Sequence, residues 1–333
     1  MLYVSSRRRA TVSLAVVGAL LSGTVLSACG EDEPTTEEQV TASAPSAKVF
    51  PAAKGQTLQG ISQVATVTED IVVAPAGAVY TPGENRVGFG VFTAGQEQIT
   101  NAEVALYAGL GDNGTAVGPF PARIESLETD PAFEARTTAD DPASAKAVYV
   151  SEVEFDQPGE WQVIAMINQD DELLVTRFLG GSSVVDDYEE IPAVGDKAPA
   201  VHTPTVAEVP DLGEIDTRNP HDTMHELDAA DTIGKRPTVL LFATPALCAS
   251  RVCGPVVDAA EQVKSEMGDD AAFVHMEVFR NNNPTEPVRP QLDAFGLQTE
   301  PWLFVLDAKG KVSTRIEGAF SVDELRDAVE KAT

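Results

Sequence analysis

The chain has 333 residues, with 52 acidic and 23 basic side chains and a formal charge of −29. That length accommodates two domains and a tether. The sign of the charge excludes nucleic acid as an expected partner, because phosphate binding needs positive side chains; it describes instead a solvated acidic shell that keeps the chain soluble.

Arg7, Arg8 and Arg9 precede a mostly apolar stretch from Val12 to Val25. This is the layout of an export leader, and Leu26-Ser27-Ala28-Cys29 after it resembles the bacterial lipobox, whose cysteine receives diacylglycerol. The resemblance implies a signal peptide over residues 1–28 and lipidation at Cys29. It also implies an extracytoplasmic protein held to the cell membrane by two or three acyl chains, enough for stable anchoring. Ala10-Thr11-Val12 lack the bulky apolar pair of twin-arginine signals, so general secretion is the expected route. Removal of residues 1–28, with three arginines and no acid, takes the charge from −29 to −32. No second apolar run of spanning length follows. Residues 29–47, rich in Glu, Thr, Ser, Ala and Pro, cannot bury a core and predict an acidic flexible tether.

Residues 48–185 predict an all-β domain. Val87, Phe89 and Val91 alternate, and Val104–Tyr107, Ala147–Phe155, Trp161–Ile167 and Leu173–Leu179 continue the pattern between turn residues such as Pro82-Gly83 and Pro158-Gly159. Pro158-Gly159-Glu160-Trp161 resembles a late-strand entry of immunoglobulin-like bacterial modules, which implies a β-sandwich. Lacking histidine and cysteine, and with Met166 as its only methionine, this stretch is not expected to hold a soft metal. Its expected work is spacing or partner contact.

A proline-containing linker opens the last segment, residues 186–333. Within it Val194-Gly195-Asp196-Lys197-Ala198-Pro199 resembles the lead-in of redoxin-type domains. All four histidines lie in this half. His221 and His225, four apart, would share a helix face as a metal pair does, but Pro220, Asp231 and Gly234 argue against a long helix. Both are expected as surface or loop-packing residues, and His275 as a packed histidine on a central strand. The apolar run Thr238–Leu241 predicts a buried strand, and Val256–Val263 carries a helical stripe. Ala271–Val278 predicts a strand, residues 291–295 a short helix, and Trp302–Asp307 with Lys311–Ile316 a hairpin. Ser321 caps a last helix, Val322–Lys331, with Glu324 in the capping-box position.

Between the first strand and first helix lies Cys248-Ala249-Ser250-Arg251-Val252-Cys253-Gly254-Pro255. A thiol at a helix N-terminus gains thiolate character, because the dipole favours the anion. The element order β-α-β-α-β-β-α, with Pro301 immediately before the third strand, resembles the thioredoxin-like fold. The resemblance implies a cis-proline at Pro301 facing the redox cysteines. The motif departs from the family's Cys-Gly-Pro-Cys: Val256 follows Cys253-Gly254-Pro255, and the second thiol lies upstream. If the helix ran from Cys248, the α-carbons would stand about 8–9 Å apart, beyond the about 7 Å limit of a disulfide. If residues 248–253 form a loop and Pro255 lies in the first helical turn, the bond closes, and this is the expected arrangement. Some peroxiredoxins of the bacterioferritin-comigratory type share the C-x4-C pair, and copper chaperones of cytochrome oxidase assembly carry C-x3-C before a proline.

The fold class read from the chain is thus two domains, an N-terminal immunoglobulin-like sandwich and a C-terminal α/β thioredoxin-like fold. With Cys29 lipidated, Cys248 and Cys253 form a pair in an oxidising compartment, either redox-active or a structural staple. Expected site residues are Cys248, Cys253, Pro301 and Glu300. Glu300 raises the thiol pKa, relays a proton or faces solvent, and Arg251 either stabilises a thiolate or lies in water. Cys253 fills the Cys-Gly-Pro slot, while Cys248 corresponds to the attacking position of the peroxiredoxins and is the favoured nucleophile. The expected activity is thiol–disulfide exchange with envelope protein thiols or disulfides, with no cofactor and no metal. A non-catalytic binding module with a structural disulfide is the alternative, and a copper-handling role the third.

Overall fold

The computed structural model of the chain describes residues 41–333 apart from 112, 170, 171 and 179–181. The leader and Cys29 lie outside the described residues. No helix among those described is long and apolar enough to cross a membrane.

In chain order the β-rich region contains α1 (Leu58–Ser62), β1 (Thr66–Val67), β2 (Ile71–Pro75), β3 (Gly83–Thr93), β4 (Glu103–Leu110), β5 (Val117–Pro121) and β6 (Arg123–Ser126). It continues with α2 (Arg136–Ala139), β7 (Ala147–Phe155), β8 (Gly159–Gln169), β9 (Glu172–Arg177) and β10 (Ser182–Val184). One sheet has the order β1-β9-β8-β4-β5, with β10 on β8; the other runs β2-β3-β7-β6. They face each other across a shared core that includes the alternating Val87, Phe89 and Val91 of β3 and Trp161, Val163 and Ala165 of β8. Within the stretch assigned by composition to the tether, residues 42–47 are exposed apart from half-buried Pro45, and Ala42 exchanges backbone hydrogen bonds with Ile124 on the free edge of β6.

The α/β region contributes α3 (Ala229–Thr232), β11 (Thr238–Phe242), α4 (Cys253–Met267), β12 (Ala272–Met276), α5 (Pro290–Ala294), β13 (Trp302–Leu306), β14 (Val312–Glu317) and α6 (Val322–Ala332). Its sheet has the order β12-β11-β13-β14; β12 runs parallel to β11, and β13 and β14 are antiparallel. Every residue of β11 is buried, which is why it reads as an unbroken apolar run rather than an alternation. Val239 and Leu241 face the layer of α4 and α6, while Leu240 and Phe242 face Phe295 and Leu292. Ser321 and Glu324 form the expected capping box on α6. His275 is buried but lies on an edge strand, not a central one. The segment before β11 covers that edge, and the His275 amide donates to the Met224 carbonyl.

Residues 39–333 form one compact unit, and β7 shows how. Tyr149 and Val153 point into the sandwich, whereas Val148 and Val150 join Val256, Val257 and Leu325 of α4 and α6 in a second core. The polar rim of this junction is an ion cluster. Arg86 donates two hydrogen bonds to Glu324, at 2.9 and 2.7 Å, and Arg123 adds one at 2.8 Å. Burial alone would raise the Glu324 carboxyl, but the two guanidinium groups outweigh it and hold it below the usual carboxylate range.

Candidate functional site

The connection from β11 to α4 leaves the sheet at Ala243, turns through Cys248 and enters the helix at Cys253, with Pro255 in the first turn. Cys248 therefore precedes the helix, as the loop arrangement requires. The sulfurs are bonded, with a Cα–Cα distance of 6.0 Å. Arg251, at a φ of 60°, bends the chain between them. Its half-exposed guanidinium lies 3.4 Å from Asp141.

The two sulfurs have different surroundings. Cys253 is fully buried, the first residue of α4. Cys248 is half-buried, with its sulfur 3.1 Å from the Ser250 hydroxyl. Cys248 also lines a cleft of about 460 Å³ whose opposite wall, including Arg136, Asp140 and Asp141, comes from the β6–β7 connection. That wall is attached directly to the motif: the Ala145 amide donates to the Arg251 carbonyl. Gly254 is pressed against it, since a β-carbon there would stand 2.7 Å from the Thr138 hydroxyl.

Glu300 and Pro301 approach from the other side of the loop. Their peptide bond is cis, and the Glu300 carboxylate lies 3.6 Å from the Cys253 sulfur. The Glu300 side chain is thus directed at the cysteine pair. Burial, together with the charge of Glu277, pushes the Glu300 carboxyl up to about 7, against hydrogen bonding from Thr244 that lowers it. Glu277 was not singled out from the sequence. It is 1% exposed, its own carboxyl is raised by burial, and one oxygen accepts from the Thr217 amide at 2.6 Å. The available signal was a lone acid within the apolar run from Ala271 to Val278. Next to it, His275 contacts Asp222 at 2.6 Å through Nδ1 and the Ala243 carbonyl at 3.0 Å through Nε2. Burial alone would push this imidazole down, but Asp222 outweighs it and holds it up to about 10. The charged ring ties the start of the cysteine loop to β12.

The remaining three histidines lie outside helices and strands. His221 is partly exposed, 3.3 Å from Asp216, and His202 pairs with Asp228 at the surface. His225, expected at the surface or packed in a loop, is packed: it is 2% exposed, and its ring is tilted against that of His275 with centroids 4.9 Å apart.

These observations define a class: a β-rich region followed by an α/β region of thioredoxin-like topology, with a bonded cysteine pair at the start of α4. No protein-family model and no curated protein sequence matches the chain. Among solved structures, it is similar to a putative thiol:disulfide interchange protein DsbE from Chlorobium tepidum, at 18% identity and a TM-score of 0.30, over 42% of this chain and 98% of that one. It is also similar to a thiol:disulfide interchange protein of the thioredoxin family from Chlorobium tepidum TLS, at 22% identity and a TM-score of 0.30, over 42% and 97%.

Proposed function

We propose that the protein is a thiol–disulfide oxidoreductase of the cell envelope, working through Cys248 and Cys253. The observation that carries this reading is the asymmetry of the pair: one sulfur borders a cleft, and the other is buried against an acid with a carboxyl near neutrality. A substrate thiolate attacks the Cys248 sulfur, forming a mixed disulfide and expelling Cys253 as a thiolate. Protonated Glu300 gives that thiolate its proton. A second substrate thiolate then attacks the substrate sulfur of the mixed disulfide and releases Cys248. The substrate leaves with a disulfide, and two electrons stay on the enzyme. The reverse sequence, with Cys248 attacking a substrate disulfide and Cys253 resolving, reduces the substrate, and Glu300 accepts the Cys253 proton. Pro301 follows Glu300 through the cis bond and so fixes the backbone of the acid beside Cys253. The β-rich region supplies the cleft wall opposite Cys248 and so contributes to substrate choice.

The lipobox-like Leu26–Cys29 supports attachment to the membrane through lipid on Cys29. A trapping experiment tests both parts. The Cys253→Ala protein, expressed in cells, should accumulate mixed disulfides on Cys248 that fractionate with membranes. Adding Cys29→Ala should release the complexes from that fraction. Absence of any mixed disulfide, together with a reduction potential below about −300 mV, would make the bond a structural staple.

A further inference from the structure

A second group of chemically capable side chains lies away from the cysteines, beneath the segment that covers the β12 edge. Asp216, Asp222, His225 and His275 are all buried, and one ligating atom from each lies within 4.8 Å of the others. Two observations distinguish this group from an ordinary buried ion pair. First, Nε2 of His225 has no hydrogen-bond partner although the residue is 2% exposed, and it lies 3.6 Å from an Asp222 oxygen, inside the cluster. An unpaired ring nitrogen in that position costs free energy unless something binds it. Second, the outer contacts are those of a ligand shell. His275 directs Nε2 at the Ala243 carbonyl, leaving Nδ1 for the interior. Asp216 accepts from the amides of Arg218 and Asp222, and Asp222 from that of Met224, so the carboxylates are oriented by backbone.

We propose that Asp216, Asp222, His225 and His275 form a site for a divalent transition-metal ion, with zinc the expected occupant. Two carboxylates and two neutral imidazoles carry two negative charges, which one divalent cation cancels in an interior where uncompensated charge is costly. Two nitrogen donors disfavour calcium and magnesium, and two nitrogens with two oxygens suit tetrahedral zinc. Bonds of about 2.0–2.1 Å set the edges of such a tetrahedron at about 3.3 Å. The 2.6 Å contact between His275 and Asp222 would open to that length and the wider edges would close. The ion would replace the proton these two groups share. Because the ligands are buried, the ion enters during folding and pins the 216–225 segment to β12.

The test uses the chain with Cys29→Ser and the Cys248–Cys253 disulfide intact, so that no thiolate can act as ligand. The protein is refolded from denaturant with equimolar zinc or cobalt(II), passed through a chelating resin and assayed for metal by mass spectrometry. The expected result is one ion per chain, with the visible absorption of four-coordinate cobalt in the cobalt form. His225→Gln should lower retention at least tenfold, whereas His202→Gln, whose partner Asp228 is not a ligand, should leave it unchanged. Wild-type protein that refolds by circular dichroism yet retains less than about a tenth of an equivalent overturns the proposal without reference to any variant. Equal retention by a folded His225→Gln protein overturns it as well.

Discussion

Replacing Glu300 with glutamine should make the oxidised protein more stable, by an amount that depends on pH. Burial and Glu277 raise the carboxyl from its ordinary value of 4.5 to about 7 in the folded state. A carboxyl raised on folding binds its proton more tightly in the native than in the unfolded chain. Stability from this group is therefore fully present below about 4.5 and is lost as pH rises to about 7. Each pH unit between those limits is worth about 1.4 kcal/mol, so the loss sums to roughly 3 kcal/mol. Glutamine keeps the shape and cannot ionise. The difference in unfolding free energy between variant and wild type should therefore be smallest near pH 4.5 and grow by roughly 3 kcal/mol towards pH 7.5. Denaturant unfolding of both oxidised proteins across that range measures it, and the subtraction cancels the titrations that they share. A difference that stays flat with pH would refute the claim that the Glu300 carboxyl is raised beside Cys253. In a turnover assay the same substitution should slow release of Cys253 from the disulfide, since its proton donor is gone.

Two further substitutions probe the junction between the β-rich and α/β regions. In an isolated helix Gly254→Ala would gain about 1 kcal/mol; here the new methyl meets Thr138, and a net loss of roughly 1–2 kcal/mol is expected. Adding Thr138→Ala should recover most of that loss, and a single variant more stable than wild type in chemical denaturation would show that the wall does not press on the helix. Arg86→Met removes the principal partner of the nearly buried Glu324 and should cost roughly 3 kcal/mol at pH 7. Because the pair holds the Glu324 carboxyl down, its contribution is present above the unfolded value of about 4.5 and fades as pH falls towards the folded one. Unfolding at pH 7 and pH 4 should thus give a smaller penalty at the lower pH, and an equal penalty would contradict the ion-pair account.

What could be read from the chain alone was local. The unbroken run through Val239 and Leu241 and the Ser321–Glu324 capping box are each encoded within a few residues, because a strand period or a cap depends on near neighbours, whereas the cis bond at Pro301 was expected from the thioredoxin-like resemblance. The cysteine spacing favoured Cys248 preceding the helix, since on a continuous helix the two α-carbons would stand too far apart to be bridged. Tertiary structure decided everything that joins distant residues. Val148 and Val150 leave the sandwich core for that of α4 and α6, and Asp141 reaches Arg251 across 110 positions. His225 finds His275 and not His221, because the covering segment lies along β12 instead of forming a helix. Glu300 and Glu277 acquire their raised carboxyls only when both are brought out of water beside each other. Desolvation and pairing depend on the folded surroundings of a side chain, and no local pattern of residues records them.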